Sequence, residues 1–121
     1  MSFYRKKLGE KGERAAEKAL KKEGYRLLER NYSVRGGEID LIMERSGEIL
    51  FVEVKTRTSE EFGTPLESIG SRKREHLCHA AKVYLSRRSL EDAAVSFCAV
   101  SVTADTKGKM KSVEIIKDIF L

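Results

Sequence analysis

The feature that most constrains the fold is a pair of short segments in which apolar and charged residues alternate. They run from Glu38 to Glu44 and from Ile49 to Arg57, on either side of the turn signal Ser46-Gly47. Alternation with a period of two is typical of β-strands, because successive side chains point to opposite faces of a sheet. The pattern therefore predicts a β-hairpin in which each strand has one apolar face and one face that carries charge, with Ile39, Leu41 and Met43 together on the apolar face of the first strand.

The length of the connecting turn decides which residues face each other in this hairpin. A two-residue loop at Ser46-Gly47 places Asp40 opposite Glu53 and Glu38 opposite Lys55, and a four-residue loop gives the same register. A three-residue loop would place Asp40 opposite an apolar residue, so the face pattern favours the even loops. We therefore expect two carboxylates to face each other with Cβ atoms about 4.5–5.5 Å apart.

Two opposed carboxylates repel each other, and a divalent cation gives one reason for such a pair. Mg²⁺ takes oxygen ligands and is commonly held by one or two carboxylates. Lys55 lies on the same face as Glu53, where its ammonium group could contact a phosphate or a metal-bound water. The excess of 24 Lys and Arg over 19 Asp and Glu, a net charge of +5, fits a polyanionic partner such as nucleic acid.

These features together predict metal-assisted hydrolysis of phosphodiester bonds. The alternative is an exposed sheet face on which Asp40 and Glu53 are each neutralised by a neighbouring Lys or Arg.

The rest of the chain predicts helices and further strands around the hairpin. The order α-β-β-β-α-β-β predicts an α/β domain with a mixed sheet flanked by helices. The length of 121 residues suits a single domain over residues 1–121. The predicted segments are helices at 6–23 and 71–88, strands at 25–32, 94–103 and 112–116, a basic turn at 33–37 and a polar loop at 58–70 that contains Pro65.

Several classes of protein are excluded by what the sequence lacks. The two cysteines, Cys78 and Cys98, form no CxxC pair, which excludes a zinc ribbon or a thioredoxin-like motif. No apolar run approaches the roughly 18 residues of a membrane helix, and the N-terminus has no signal-peptide pattern. We expect a soluble, cytoplasmic protein with free thiols and no membrane partner.

Two segments of the hairpin carry a resemblance to known nucleases. GEIDLI at residues 37–42 and FVEVKTR at residues 51–57 resemble the D-x(n)-ExK core of the PD-(D/E)XK nuclease superfamily. Over residues 9–103 the chain resembles the YraN family, an uncharacterised bacterial family similar to archaeal Holliday junction resolvases. One departure from the superfamily pattern is Ile39, which stands where a proline often precedes the metal-binding aspartate. Further matching positions are Gly12-Glu13, Phe62-Gly63, Pro65, Lys73, Ala81 and Tyr84-Leu85.

The resemblance implies a fold, an activity and a set of site residues. It implies a restriction-endonuclease-like fold and an endonuclease that uses Mg²⁺ or Mn²⁺ on DNA, such as branched or damaged DNA in recombination or repair. Asp40 and Glu53 would be metal ligands and Lys55 the catalytic lysine. Glu13 matches the acidic residue that the first helix of such nucleases contributes near the metal. Related resolvases act as symmetric dimers, which leaves a homodimer open for this chain.

Four further residues are candidates for supporting roles. Glu38 either pairs with Lys55 and orients it or only ends a strand. Arg57, Lys73 and Arg35 are candidate DNA contacts, and Lys73 opens a predicted helix whose N-terminus would attract phosphate. Each of these three has an ordinary solvated side chain as its alternative. The alternative function is a non-enzymatic nucleic-acid-binding module that retains the nuclease fold.

Overall fold

The element order agrees with the sequence prediction. The computed structural model describes residues 3–58 and 70–119. Each predicted helix and strand is found, and its ends differ from the predicted ones by a few residues. The elements are α1 (Phe3–Lys22), β1 (Arg26–Val34), β2 (Gly37–Arg45), β3 (Glu48–Thr58), α2 (Ser71–Arg87), β4 (Ala94–Ala104) and β5 (Met110–Lys117).

The five strands form one mixed sheet in the order β1-β2-β3-β4-β5. The pairs β1–β2, β2–β3 and β4–β5 are antiparallel, whereas β3 and β4 are parallel. A parallel pair needs a crossover connection, and α2 lies on the segment that joins β3 to β4. The result is the mixed sheet flanked by helices that the sequence predicted, with the restriction-endonuclease-like order of elements.

The helices cover opposite faces of the sheet and create two apolar clusters. One cluster joins Ala16 and Leu20 of α1 to the side chains of Val52 and Val54. The other joins Leu77 and the alanines of α2 to Phe51 and Ile42. The alternative of an exposed sheet face is therefore wrong at Glu53, because α2 packs on that side of the sheet and Glu53 is only 6% exposed.

Each helix buries one stripe of small or apolar side chains. In α2 the stripe is Leu77, Ala80, Ala81 and Tyr84, and in α1 it includes Leu8, Ala16 and Leu20. The spacing of three and four residues places each set on one side of its helix. Neither helix is long and apolar enough to cross a membrane, as far as residues 3–58 and 70–119 are concerned.

The turn between β1 and β2 is shorter than predicted. Ser33 and Val34 continue β1, and only Arg35 and Gly36 lie between the strands. Gly36 has a φ of 86°, which glycine adopts without steric cost. At Gly37 a Cβ atom would overlap the backbone oxygen of His76, so α2 packs closely against the start of β2.

The predicted loop at 58–70 meets the described residues only at its ends. Thr58 is the last residue of β3, and Gly70 directly precedes α2. Phe62, Gly63 and Pro65, which carry part of the family resemblance, lie outside the residues that the structure describes.

Candidate active site

The β2–β3 hairpin has the register that the sequence predicted. Its pairs run from Arg45 with Glu48 to Leu41 with Val52, so the next position places Asp40 opposite Glu53. The paired positions stop at Leu41 and Val52. Beyond them the Val54 N–H donates a 2.7 Å hydrogen bond to Asp40 Oδ2, so a side chain takes the place of the backbone partner. The two strands separate at the carboxylate pair.

Asp40 and Glu53 interact directly where the strands separate. The pKa of Asp40 is raised to about 8, with burial as the largest cause and the nearby negative charge of Glu53 as the second, while the hydrogen bond from Val54 opposes the rise. Two acids held this closely in a partly dehydrated place favour a bound proton or cation over two free negative charges.

A cleft of about 530 Å³ opens beside this pair and collects most of the predicted site residues. Side chains from four elements line it, so it lies where both helices meet the end of the sheet. The predicted residues on its wall are Glu13 of α1, Glu38 and Asp40 of β2, Glu53 and Lys55 of β3, and Lys73 of α2. Tyr4 and Arg5, which the sequence did not single out, also line the cleft.

Glu13 reaches the cleft because α1 crosses β3 closely at the preceding residue. A Cβ atom on Gly12 would overlap Thr56 Oγ1, so a larger residue at this position would push the helix away. Burial raises the pKa of Glu13, and the charges of Glu10, Glu53 and Glu38 raise it as well, whereas a hydrogen bond with Asn31 lowers it. The first helix thus contributes an acid to the same electrostatic environment as the β-strand carboxylates.

Lys73 forms an ion pair with the buried acid of β3. Its Nζ lies 2.5 Å from Glu53 Oε2, and the side chains of Lys73 and Glu53 are 43% and 8% exposed. Lys73 was predicted as a DNA contact, whereas in the structure its ammonium group neutralises Glu53. The alternative of a carboxylate balanced by a neighbouring lysine therefore applies to Glu53 in the absence of a cation.

The remaining predicted residues take different positions. Glu38 and Lys55 share the wall of the cleft, but the paired part of the hairpin ends before it reaches them. Arg57 lies half-buried on β3, two residues beyond Lys55. Arg35 is exposed in the β1–β2 turn, where its carbonyl oxygen lies 3.1 Å from His79 Nε2. Neither arginine is among the described residues that line the cleft.

Asn31 is a further residue near the site that was not predicted from the sequence. It lies in β1, and the pairs on either side of it place it opposite Asp40 on β2. Its φ of 50° is left-handed. The available signal was an asparagine within a predicted strand, where this residue type is depleted.

The donor set suits a cation that keeps part of its water shell. Among the described residues, no three His, Cys, Asp or Glu side chains are arranged to enclose a metal ion. Mg²⁺ does not need such a cage, since it is usually bound by one or two carboxylates and retains several waters. Asp40 and Glu53 are the two carboxylates that would hold such a cation, and Glu13 lies on the same cleft wall.

The comparisons with known proteins identify the family. Residues 12–103 match the uncharacterised protein family UPF0102. A UPF0102 protein of Moorella thermoacetica is 43% identical over 99% of this chain and 100% of its own length. A UPF0102 protein of Geobacter metallireducens is 40% identical over 99% of this chain and 97% of its own length. An XisH family protein from Nostoc punctiforme is similar in structure, with a TM-score of 0.42, 16% identity, and coverage of 84% of this chain and 97% of that chain. The chain therefore belongs to the UPF0102 family, which is the YraN family that its GEIDLI and FVEVKTR segments resemble.

Proposed function

We propose that this protein is a metal-dependent endonuclease that hydrolyses phosphodiester bonds of DNA. One observation carries the proposal: Asp40 and Glu53 meet where β2 and β3 separate, on a cleft that Lys55 also lines. Membership of UPF0102 and the mixed sheet are consistent with a nuclease-like fold. A fold alone does not establish an activity, so the proposal rests on the site.

The proposal assigns a part to each side chain of the cleft. Asp40 and Glu53 would hold Mg²⁺ or Mn²⁺, with Glu13 as a third acidic group. The bound cation would supply Lewis-acid stabilisation of the phosphate and a lower pKa for a water ligand. Lys55 would orient the attacking water and offset the negative charge that develops on the phosphoryl oxygens. Lys73, at the start of α2, would add a second positive charge to the same wall.

The substrate proposal combines charge with the family resemblance. The net charge of +5 favours a polyanion, and the acidic cleft is confined to one end of the sheet. Arg35 and Arg57 lie on the elements next to the cleft and are proposed phosphate contacts outside it. Branched or damaged DNA as the preferred substrate, and action as a homodimer in recombination or repair, follow from the resemblance to junction resolvases.

A non-enzymatic nucleic-acid-binding module is the second candidate, and one observation favours it. The chain satisfies its own carboxylates, because Lys73 pairs with Glu53 and the Val54 N–H donates to Asp40. A module that had lost catalysis would retain such internal partners. The continued presence of Lys55 beside two opposed acids favours the enzyme, since binding alone does not require opposed carboxylates.

A cleavage assay separates the two candidates. Labelled single-stranded, duplex, flapped and four-way-junction DNA would be incubated with the protein in Mg²⁺, Mn²⁺ or chelator. Asp40→Ala is the test variant, and Glu114→Gln, which changes an exposed carboxylate on β5, is the matched control. We expect cleavage that needs the metal, is lost in Asp40→Ala and is kept in Glu114→Gln. Salt-sensitive DNA binding without cleavage by any of the three proteins would favour the binding module instead.

A further inference from the structure

Asn31 has a backbone conformation that its place in the fold does not explain. Four non-glycine residues of the described chain have positive φ. Ser46 lies in the hairpin turn, Ser89 follows α2, and Asp118 follows β5. Asn31, with a φ of 50°, lies within β1. A left-handed residue inside a strand is unfavourable and persists only where the surroundings require it.

The irregular position of β1 coincides with an irregular position of β2. Arg30 pairs with Leu41 and Tyr32 pairs with Ile39, so Asn31 lies opposite Asp40. The alternation of faces in β2 is interrupted at the same point. Ile39 packs in the cluster on the α2 side of the sheet, and Leu41, two residues later, packs in the cluster on the α1 side. The regular alternation of faces is thus interrupted at Asp40 in β2, opposite the left-handed Asn31 in β1.

The Asn31 side chain interacts with the acid that α1 brings to the cleft. Asn31 and Glu13 line a second groove of about 460 Å³ along α1. The Asn31 amide opposes the other neighbours of Glu13, because it lowers the pKa of that carboxyl. Glu13 also lines the cleft of Asp40 and Glu53, so it lies between the groove and the cleft. The acids whose charges act on Glu13 are Glu10, Glu53 and Glu38. A neutral amide donor can hold the Glu13 carboxylate there without adding charge to the cleft.

We propose that Asn31 is a positioning residue for the metal site. Its left-handed backbone directs the side chain to α1, and its amide N–H holds the Glu13 carboxylate beside the Asp40–Glu53 pair. Asn31 acts through Glu13 and does not itself bind the cation. This inference rests on the proposed function, because it assumes that the cleft binds a divalent cation.

Glycine at this position separates the amide from the backbone conformation. Asn31→Gly accepts a positive φ and removes only the side chain, so we expect a melting temperature no lower than that of the wild type. Asn31→Ala removes the same amide but disfavours the left-handed backbone, so it should melt at a lower temperature. If the amide is the important feature, both variants lose metal affinity by the same factor.

The measurement is Mn²⁺ affinity by isothermal titration calorimetry on the full chain. Loss of a group that orients a metal ligand typically weakens metal binding about 10-fold or more, and we expect that loss in Asn31→Gly. Ser46→Gly is the matched control, because it removes another side chain at positive φ, in the turn at the far end of the hairpin. Its affinity should equal that of the wild type. In a Glu13→Gln background Asn31→Gly should cause little further loss, since the two residues act as a unit.

The outcomes distinguish this inference from the proposed function. A wild-type protein that binds no Mn²⁺ would overturn the proposed metal site and the role of Asn31 with it. Normal affinity in Asn31→Gly, with metal binding intact in the wild type, would overturn only the role of Asn31. If the double variant lost Mn²⁺ affinity by the full product of the losses in Asn31→Gly and Glu13→Gln, Asn31 would not act through Glu13. A large fall in the melting temperature of Asn31→Gly would assign Asn31 a structural role instead.

Discussion

Lys73 and Glu53 form an ion pair that joins the first turn of α2 to the central strand of the sheet, with Nζ 2.5 Å from Oε2. The Glu53 side chain is 8% exposed, and Lys73 approaches it from a position that is 43% exposed. The positive charge that balances the buried Glu53, beside Asp40, thus comes from α2, the helix that covers it. The same ammonium group lies where a cation bound to Glu53 would repel it.

Replacing Lys73 should expose this competition. We expect Lys73→Met to lose about 1–2 kcal/mol of unfolding free energy without metal, because Glu53 is left buried without its partner and Lys73 is itself half exposed. The rise in melting temperature on adding Mn²⁺ should exceed that of the wild type, since no lysine then opposes the cation. Thermal denaturation with and without metal measures both effects. Lys82→Met, at an exposed position of α2, is the control. An Mn²⁺ response equal to the wild type would contradict the competition.

The carboxylate pair should cost stability in the metal-free protein. Asp40→Asn removes the titratable acid beside Glu53 and keeps an oxygen that can accept the Val54 N–H. We expect the unfolding free energy of Asp40→Asn to exceed that of the wild type by about 1–2 kcal/mol at neutral pH without metal, because burial and the charge of Glu53 disfavour an ionised Asp40. The increase in melting temperature on adding Mn²⁺ should disappear. Denaturant unfolding in chelator tests the first expectation, and a variant less stable than the wild type would disprove it.

Two glycines of α1 should respond to alanine with opposite signs. A Cβ atom on Gly12 would overlap the Thr56 side chain, whereas one on Gly9 would meet nothing within 4 Å. Gly12→Ala should lower the unfolding free energy by about 1–3 kcal/mol through overpacking, even though alanine favours a helix. Gly9→Ala should gain about 0.5–1 kcal/mol from helix propensity alone. Circular dichroism melts of the two variants compare them directly, and equal shifts would mean that α1 does not depend on the close approach at Gly12.

The ion pairs of Glu17 with Arg30 and Lys21 should stabilise the protein at neutral pH and lose this effect in strong acid. Arg30 donates to both Glu17 oxygens at 2.7 and 2.9 Å, and Lys21 Nζ lies 2.8 Å from Oε2. The Arg30 hydrogen bonds are the largest cause that lowers the pKa of Glu17 from 4.5 to about 2, and Lys21 adds to the effect. The folded carboxylate therefore holds its charge below the pH at which the unfolded one takes up a proton. Its contribution is complete above pH 4.5 and is lost as the pH falls towards about 2.

Glu17→Gln tests this pH dependence. Lys21 and Arg30 are both half exposed, so we expect the unfolding free energy of Glu17→Gln to be only about 1–2 kcal/mol below that of the wild type at neutral pH. This difference should shrink to nearly zero at about pH 2. Urea denaturation of the wild type and of Glu17→Gln across this pH range measures the difference in their unfolding free energies. A difference that is constant with pH would mean that Glu17 contributes through packing and not through charge.

The parts of the site that depend on neighbouring segments of sequence could be predicted. The Ser46-Gly47 turn and the alternation of faces were enough to place Asp40 opposite Glu53, because a hairpin of fixed loop length permits few registers. The stripe of α2 was likewise predictable, since its period of three and four residues is local. Membership of the family was predictable from the two hairpin segments that carry the acids and Lys55.

The parts that depend on distant packing could not be predicted. The contact of Lys73 with Glu53 requires knowing where α2 crosses the sheet, and the charge pattern of α2 does not specify that position. The left-handed backbone of Asn31 leaves no periodic signal, because a single residue in a strand sets it. For the same reason alternation assigned Ile39 to the face of Leu41, whereas the interruption of that alternation at Asp40 turns it to the other side.

The parallel pairing of β3 with β4 determines when the cleft can be assembled during folding. Its pairs run from Glu48 with Ala94 to Thr58 with Ala104, so it joins distant parts of the chain. The β2–β3 hairpin has only a two-residue turn to close, and contacts of short range form sooner than those that close long loops. We therefore expect the hairpin to bring Asp40 and Glu53 together before Lys73 is in place. Their repulsion would then be weakened by water until the crossover through α2 buries them.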